Sequence, residues 1–347
     1  MHMADALISP IVGITMIAAS GGIGANSIKK IQKDMDEMKI PLMGVMGAFV
    51  FAAQMINFAI PGTGSSGHIG GGILLAIILG PYAGFLTIAS VLFIQALFFG
   101  DGGLLAYGCN VFNLGFFTCF IAYPYVYRWF TRKGITSKSI FIASIISTVI
   151  GLQMGAFSVV IETVISGRTE LPFGMFVLMM QPLHIVIGVV EGLITAVVVT
   201  FVWKAKPEII EDFGLGELRK DKSLRKVVVT SVVVTVMIGG ALSWFASSNP
   251  DGLEWAIEKV SGGSEIESQD KIAKRLAEFQ EKTAFLPDYD FKNSGLSEVD
   301  SDSNETSINT GTSLSGVVGA TLTLTLITLL GVGISKIRKQ KKKLQRS

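Results

Sequence analysis

Three histidines are present in the 347 residues: His2, His68 and His184. His2 directly follows Met1, and that position has a chemistry of its own. The amine of Met1, the deprotonated backbone amide of His2 and the His2 imidazole offer three nitrogens close to one plane. A fourth nitrogen from another histidine completes a square. Square-planar nitrogen ligation suits Ni(II) and Cu(II), whereas Zn(II) prefers a tetrahedron and Mg(II) and Ca(II) seek oxygen. His68 is the candidate fourth ligand. It lies in PGTGSSGHIGGG (61–72), where glycine lets a loop bend sharply and approach a ligand closely. Ser65 and Ser66 are candidates to hydrogen-bond the second nitrogen of a ligating ring. From the residues alone the alternatives stay open: His2 as a coincidence of position, and His68 as an ordinary loop residue.

Three further ionisable groups fall in apolar runs. His184 and Glu191 are seven residues apart, about 10 Å along one helix face, and Glu162 lies near the outer end of the preceding run. Ionisable groups inside a bilayer are costly and are candidates for function. Here they relay protons or pair with polar backbone and one another. Pro182, just before His184, kinks or starts its helix. The 13 methionines are scattered through apolar runs and read as core filling. Cys109 and Cys119 are about 15 Å apart on one helix, too far for a disulfide. No Gly precedes a Lys, so there is no Walker A loop, and GxSxG and HExxH are absent.

These residues must be positioned by membrane elements. Half the chain is hydrophobic and only 16% is charged, against about 25% in soluble domains, and the mean hydropathy is +0.55. Nine spans are predicted at 8–28, 41–60, 68–80, 82–99, 107–127, 139–166, 174–203, 227–246 and 315–335. Gly80-Pro81 separates the third from the fourth. Segments 29–39, 128–138, 204–226 and 336–347 hold 22 of the 29 bases, while 247–314 has 14 acids and 6 bases and a charge of −8. The positive-inside rule then places the C-terminus in the cytoplasm and the N-terminus outside a cell membrane. The first Lys is Lys29, after the first apolar run, so no cleaved signal peptide is expected. Within the outer segment, 271–281 reads as an amphipathic surface helix and 294–315 as a flexible linker. Ala18, Gly21, Gly22 and Ala25 put small residues on the first span, which allows close helix packing, internal or with another membrane subunit. No internal repeat is visible, and nothing points to nucleic acid.

The stretches MHMADALISP, PGTGSSGHIGGG, LGPYAG, QALFFGDGGLLAYGCNVFNLG (95–115) and HIVIGVVEGLITA (184–196) resemble the CbiM/NikM family. These are the substrate-binding membrane subunits of energy-coupling factor (ECF) transporters for nickel and cobalt. The remainder, with PDGLEWA at 250–256, resembles a fused CbiN/NikN-type part. The resemblance implies an all-α polytopic membrane protein: a seven-span S-component unit over 1–205, a cytoplasmic linker at 206–226, and two more spans with their outer loop over 227–347. It implies metal ligation by Met1, His2 and His68, with the N-terminus inserted into the centre of the bundle. It also implies partnership with a transmembrane coupling subunit and two cytoplasmic ATPase subunits, so that this chain is no enzyme. Ala18, Gly22 and Ala25 become candidate contacts with the coupling subunit. Asn110 and Asn113 become candidates to support the ligands, while His184 and Glu191 match family positions without an assigned role. The substrate expected is Ni(II), with Co(II) possible, because an amide must deprotonate and the Irving–Williams order favours nickel. No organic cofactor is expected. Two other readings are a secondary carrier coupled to protons through Glu162, His184 and Glu191, and an outward-facing metal sensor that never translocates.

Overall fold

The computed structural model describes residues 2–34, 39–168, 171–211, 222–261, 270–291 and 310–344. Met1 of the expected ligand set lies outside the described residues, as do 212–221 of the linker and 292–309 of the outer segment. Among the described residues, six helices are long and apolar enough to cross a bilayer. They are α1 (Pro10–Asp34), α4 (Pro81–Phe99), α5 (Tyr107–Thr131), α6 (Ser137–Ser166), α7 (Phe173–Ala205) and a C-terminal helix, Thr310–Leu344. Pro10 starts α1 where its missing N–H is no loss. A reciprocal Thr136–Ser139 capping box starts α6. Pro182 is accommodated inside α7 without ending it.

The third expected span, 68–80, is not a helical span. Its helix α3 (Gly72–Leu79) has 8 residues, all buried, and at about 12 Å it falls well short of a ~30 Å hydrocarbon core. The glycines before it keep 68–71 irregular, which is tolerated because that backbone is enclosed by protein. The chain reverses at Gly80, and α4 returns to the end it left, since both His68 and Asp101 lie beside His2. The last turn of α4 (Gln95–Phe99) and the stretch Phe112–Tyr127 of α5 are wound as π-helix, a rare winding concentrated at functional sites.

Helix α2 (Lys39–Gln54) is apolar all round and 14 of its residues are buried, as for a helix enclosed on every side. Helix α4 covers part of it. The rest is covered by α8 (Lys222–Gly240) and the C-terminal helix, here α11 once α9 (Gly252–Ser261) and α10 (Lys271–Thr283) are counted. The C-terminal part therefore completes the core around α2. Among the described residues, basic segments meet in two places. Arg338 donates to the Lys33 carbonyl at 3.3 Å, and Arg128 and Arg132 share a cavity with Ile210 and Glu211.

Two smaller expectations change. Helix α10 is more than a solvated surface helix. Asp270 caps it and pairs with Arg168 at 2.8 Å, and Gln280 Nε2 donates to the carbonyls of Ala96 (2.8 Å) and Gly102 (2.7 Å). Residues 310–315, expected as linker, are the first turns of α11.

Helices α6 and α7 cross where glycine allows near backbone contact: a Cβ on Gly192 would lie 2.5 Å from Ile145 Cα. Gly192→Val is expected to cost about 1–3 kcal/mol and to lower the thermal midpoint of the detergent-solubilised protein by several degrees. Gly22→Val, on an open face with nothing within 4 Å, should leave it unchanged. Equal midpoints for the two variants would refute this packing account.

Candidate metal centre

Residues before α1 run into the bundle, and their peptide groups find partners there. Met3 is fully buried. Its N–H donates to Asn110 Oδ1 at 2.7 Å, and its carbonyl accepts from Asn110 Nδ2 at 3.2 Å and from the Gly103 N–H at 2.8 Å. Asp5 Oδ1 accepts from the Ala106 N–H at 3.0 Å. The loop 100–106 can lie this close because Gly102 and Gly103 lack side chains. A Cβ on Gly102 would meet Asn110 Nδ2 at 2.9 Å, and one on Gly103 would meet Asp5 Oδ1 at 1.9 Å. With residue 3 held on both faces, residue 2 is fixed.

The His2 side chain is 6% exposed, and its Nδ1 is 3.0 Å from Asp101 Oδ1. Its ring stacks on that of His68, with centroids 4.9 Å apart and planes at 7°. His2 Nε2 is buried without a hydrogen-bond partner. His68 Nδ1 lies 3.0 Å from the Ile69 carbonyl; donating there, it leaves a lone pair on Nε2. As a ligand the ring must be neutral. Lone pairs lie in the ring plane, so one ion bound by both rings requires one of them to turn from the stack.

Among the described residues no three His, Cys, Asp or Glu side chains form a metal-holding group. A centre here needs backbone nitrogen. The structure brings His2, His68 and Asn110 together; Asn113 lies behind them. Its Nδ2 donates to Glu162 Oε2 at 2.7 Å and lies 3.7 Å from Met3 Sδ, so it backs Met3. Ser158 also donates to Glu162, at 3.3 Å.

Glu191 holds the His68 loop. Its two oxygens accept from the N–H groups of Gly70 (2.6 Å) and Gly71 (2.9 Å), while Gln54 Nε2 donates to the Gly70 carbonyl at 2.9 Å. His184 Nδ1 lies 2.7 Å from the Met180 carbonyl, and its ring shares a water-sized space of about 10 Å³ with His68 and Asp251.

The expectation for Ser65 and Ser66 is corrected. Neither bonds a histidine ring. They lie in β2 (Ser65–Gly67), paired antiparallel with β1 (Phe58–Ile60). Ser65 Oγ meets Thr63 Oγ1 at 2.7 Å, and Ser66 Oγ donates to the Asn249 carbonyl at 2.8 Å. The outer edge of this hairpin needed partners, and the PDGLE segment supplies them. The Ser66 N–H donates to the Pro250 carbonyl at 2.8 Å, and Trp255 Nε1 to the Thr63 carbonyl at 2.9 Å.

Four residues that sequence reasoning passed over belong to the site: Asp101, Asp5, Gln54 and Tyr289. Asp101 had a signal, a lone acid before two glycines in an outer loop. Tyr289 had none. Its hydroxyl donates to Asp101 Oδ2. Burial would raise the Asp101 carboxyl, but His2 and the Tyr289 hydroxyl hold it well below the usual carboxylate range. Outside lies a cavity of about 590 Å³ whose wall includes His2, Asp101, Asp251, Glu254 and Asp288.

Asn110 is the clearest support of this geometry. Asn110→Ala should weaken Ni(II) binding about 10- to 100-fold, the usual loss when a supporting partner is removed, and speed amide exchange over residues 3–8. Unchanged titration calorimetry together with unchanged exchange would refute the clamp.

Residues 2–209 match the family described as the cobalt uptake substrate-specific transmembrane region, CbiM, and residues 225–336 match the PDGLE domain. A putative fused nickel transport protein NikMN of Archaeoglobus fulgidus is 35% identical over 253 residues, covering 72% of this chain and 80% of that protein. A fused nickel transport protein NikMN of Rhodobacter capsulatus is 30% identical over 223 residues, 60% of this chain and 64% of that one. The crystal structure of a truncated transition metal transporter is 31% identical with a TM-score of 0.53, covering 59% of this chain and 99% of the other. The chain belongs to the CbiM family, carries a PDGLE domain behind it, and is a multi-pass membrane protein of metal transport rather than an enzyme.

Proposed function

We propose that this protein captures Ni(II), with Co(II) as a weaker alternative, from outside the cell and delivers it through an ATP-driven energy-coupling factor transporter. The ligands in this reading are the Met1 amine, the deprotonated His2 amide, a His2 ring nitrogen and His68 Nε2. The observation that carries it is the clamp on Met3, which holds His2 against His68 at the floor of an acidic cavity. Such a site binds metal only as its ligands lose protons, so affinity falls in acid. The organisation expected is a metal-binding unit over 1–205, a linker at 206–226 and the PDGLE part over 227–347. The basic segments face the cytoplasm.

Energy in this reading comes from partners: a transmembrane coupling subunit and two cytoplasmic ATPases. Helix α1 supports it. Ala18, Gly22 and Ala25 are exposed on one face of that helix, and nothing lies within 4 Å of a Cβ placed on Gly22, as a close-packing membrane partner requires. The proton-coupled carrier is disfavoured. Glu191 is engaged by two peptide N–H groups, Glu162 by Asn113 and Ser158, and His184 by the Met180 carbonyl. These partnerships hold structure without needing a relay.

The Ni(II)-loaded protein is expected to be yellow and diamagnetic with a d–d absorption band. One residue added before Met1 should abolish binding while the fold is retained. A paramagnetic octahedral spectrum, or equally tight binding by the extended chain, would overturn the ligand assignment. Radioactive nickel accumulation should require ATP and the partner subunits. Uptake in vesicles without any ATPase, lost on Glu191→Gln, would favour the carrier instead.

A further inference from the structure

We infer that Asp101, held from the C-terminal part by Tyr289, is the counter-ion of the metal centre. The inference rests on the ligand set proposed above and goes beyond it, because neither residue belongs to that set.

Chelation decides which His2 nitrogen the ion meets. An amide nitrogen and Nδ1 of the same histidine close a six-membered ring with a metal, whereas Nε2 points away from its own backbone. Nδ1 is the nitrogen that Asp101 Oδ1 now faces at 3.0 Å. A metal about 2 Å from Nδ1, the usual metal–nitrogen distance, arrives beside that carboxylate. Asp101 occupies the ion's place before loading and stands next to it afterwards.

Charge supplies the reason to keep it there. Ni(II) brings two positive charges, and the deprotonated amide cancels one. The amine and both imidazoles are neutral, so the planar centre retains one positive charge. His2 is almost wholly enclosed, and an enclosed charge is stable only when paired. One carboxylate beside the ion would neutralise the centre without displacing a nitrogen.

The other oxygen of Asp101 is engaged by the Tyr289 hydroxyl. The phenol is firmly placed: its ring lies against Phe99, with centroids 5.1 Å apart at 22°, and meets Phe51 edge-on. Its backbone is strained. Asp288 and Tyr289 have φ of 50° and 61°, a left-handed conformation that side chains other than glycine rarely adopt. Strain of this kind persists where a surrounding structure holds it and concentrates at functional sites. Tyr289 is thus a positioning residue that acts through Asp101. Asp5, Asp251, Glu254 and Asp288 also line the cavity, and Lys274 lies on the same wall.

The test uses the purified full chain, titrated with Ni(II) and followed by calorimetry and the d–d band. Asp101→Asn should weaken binding at least tenfold while the planar spectrum is retained. Asp101→Glu, which keeps the charge, should recover part of the loss. Tyr289→Phe should weaken binding several-fold with the same spectrum, and should add nothing in an Asp101→Asn background, as expected of residues acting in series. Binding by Asp101→Asn within twofold of the parent chain, or by Asp101→Glu as weak as by Asp101→Asn, overturns the counter-ion. Additive losses in the double variant overturn the role of Tyr289. Absence of the planar band in the parent chain would instead refute the ligand set beneath the inference.

Discussion

Two peptide groups of Met3 must be satisfied inside an apolar bundle, and most of the site's architecture follows from how this is done. An N-terminal segment pushed among helices has no water to bond. Leaving its N–H and C=O unpaired would cost about 1–3 kcal/mol for each group. Asn110 answers both with one side chain, and Gly103 adds a second donor to the carbonyl. This requires the 100–106 loop to press against the segment, which requires Gly102 and Gly103, which in turn sets Asp101 against His2. The stacked histidines are downstream of that chain of requirements.

The second histidine is placed by a parallel solution. The loop after β2 leaves peptide N–H groups with no helix or strand to join, and the Glu191 carboxylate takes two of them. A charged group in the middle of an apolar helix suggests proton transfer when read in sequence. In the fold it is a fastener whose value lies in the geometry it imposes on His68. Glu162 plays a comparable part behind Met3, through Asn113.

Much of this was legible in the sequence. His2 and His68 were picked out by residue type and position, and the structure stacks their rings; the breaker pair Gly80-Pro81 marked the reversal. What stayed hidden has physical reasons. Hydropathy registers apolar residues and not backbone path, so it could not distinguish a full span from the eight buried residues of α3. Ser65 and Ser66 lie next to His68 in sequence, but strand alternation and the neighbouring PDGLE segment turned them elsewhere. Asp101 carried a weak local signal. The contact of Tyr289 with Asp101 spans 188 residues, and no local pattern reports a partner so far away.

That separation along the chain has a consequence in time. The pocket around His2 draws on Asp101 and Tyr289, far apart along the chain, and the edge of the β1–β2 hairpin waits for Asn249 and Pro250. During synthesis the early helices enter the membrane with this pocket unfinished. It acquires its full set of walls only once Tyr289 has been made. A fused chain therefore cannot present a finished pocket before its second part exists, and every finished pocket has that part in equal number.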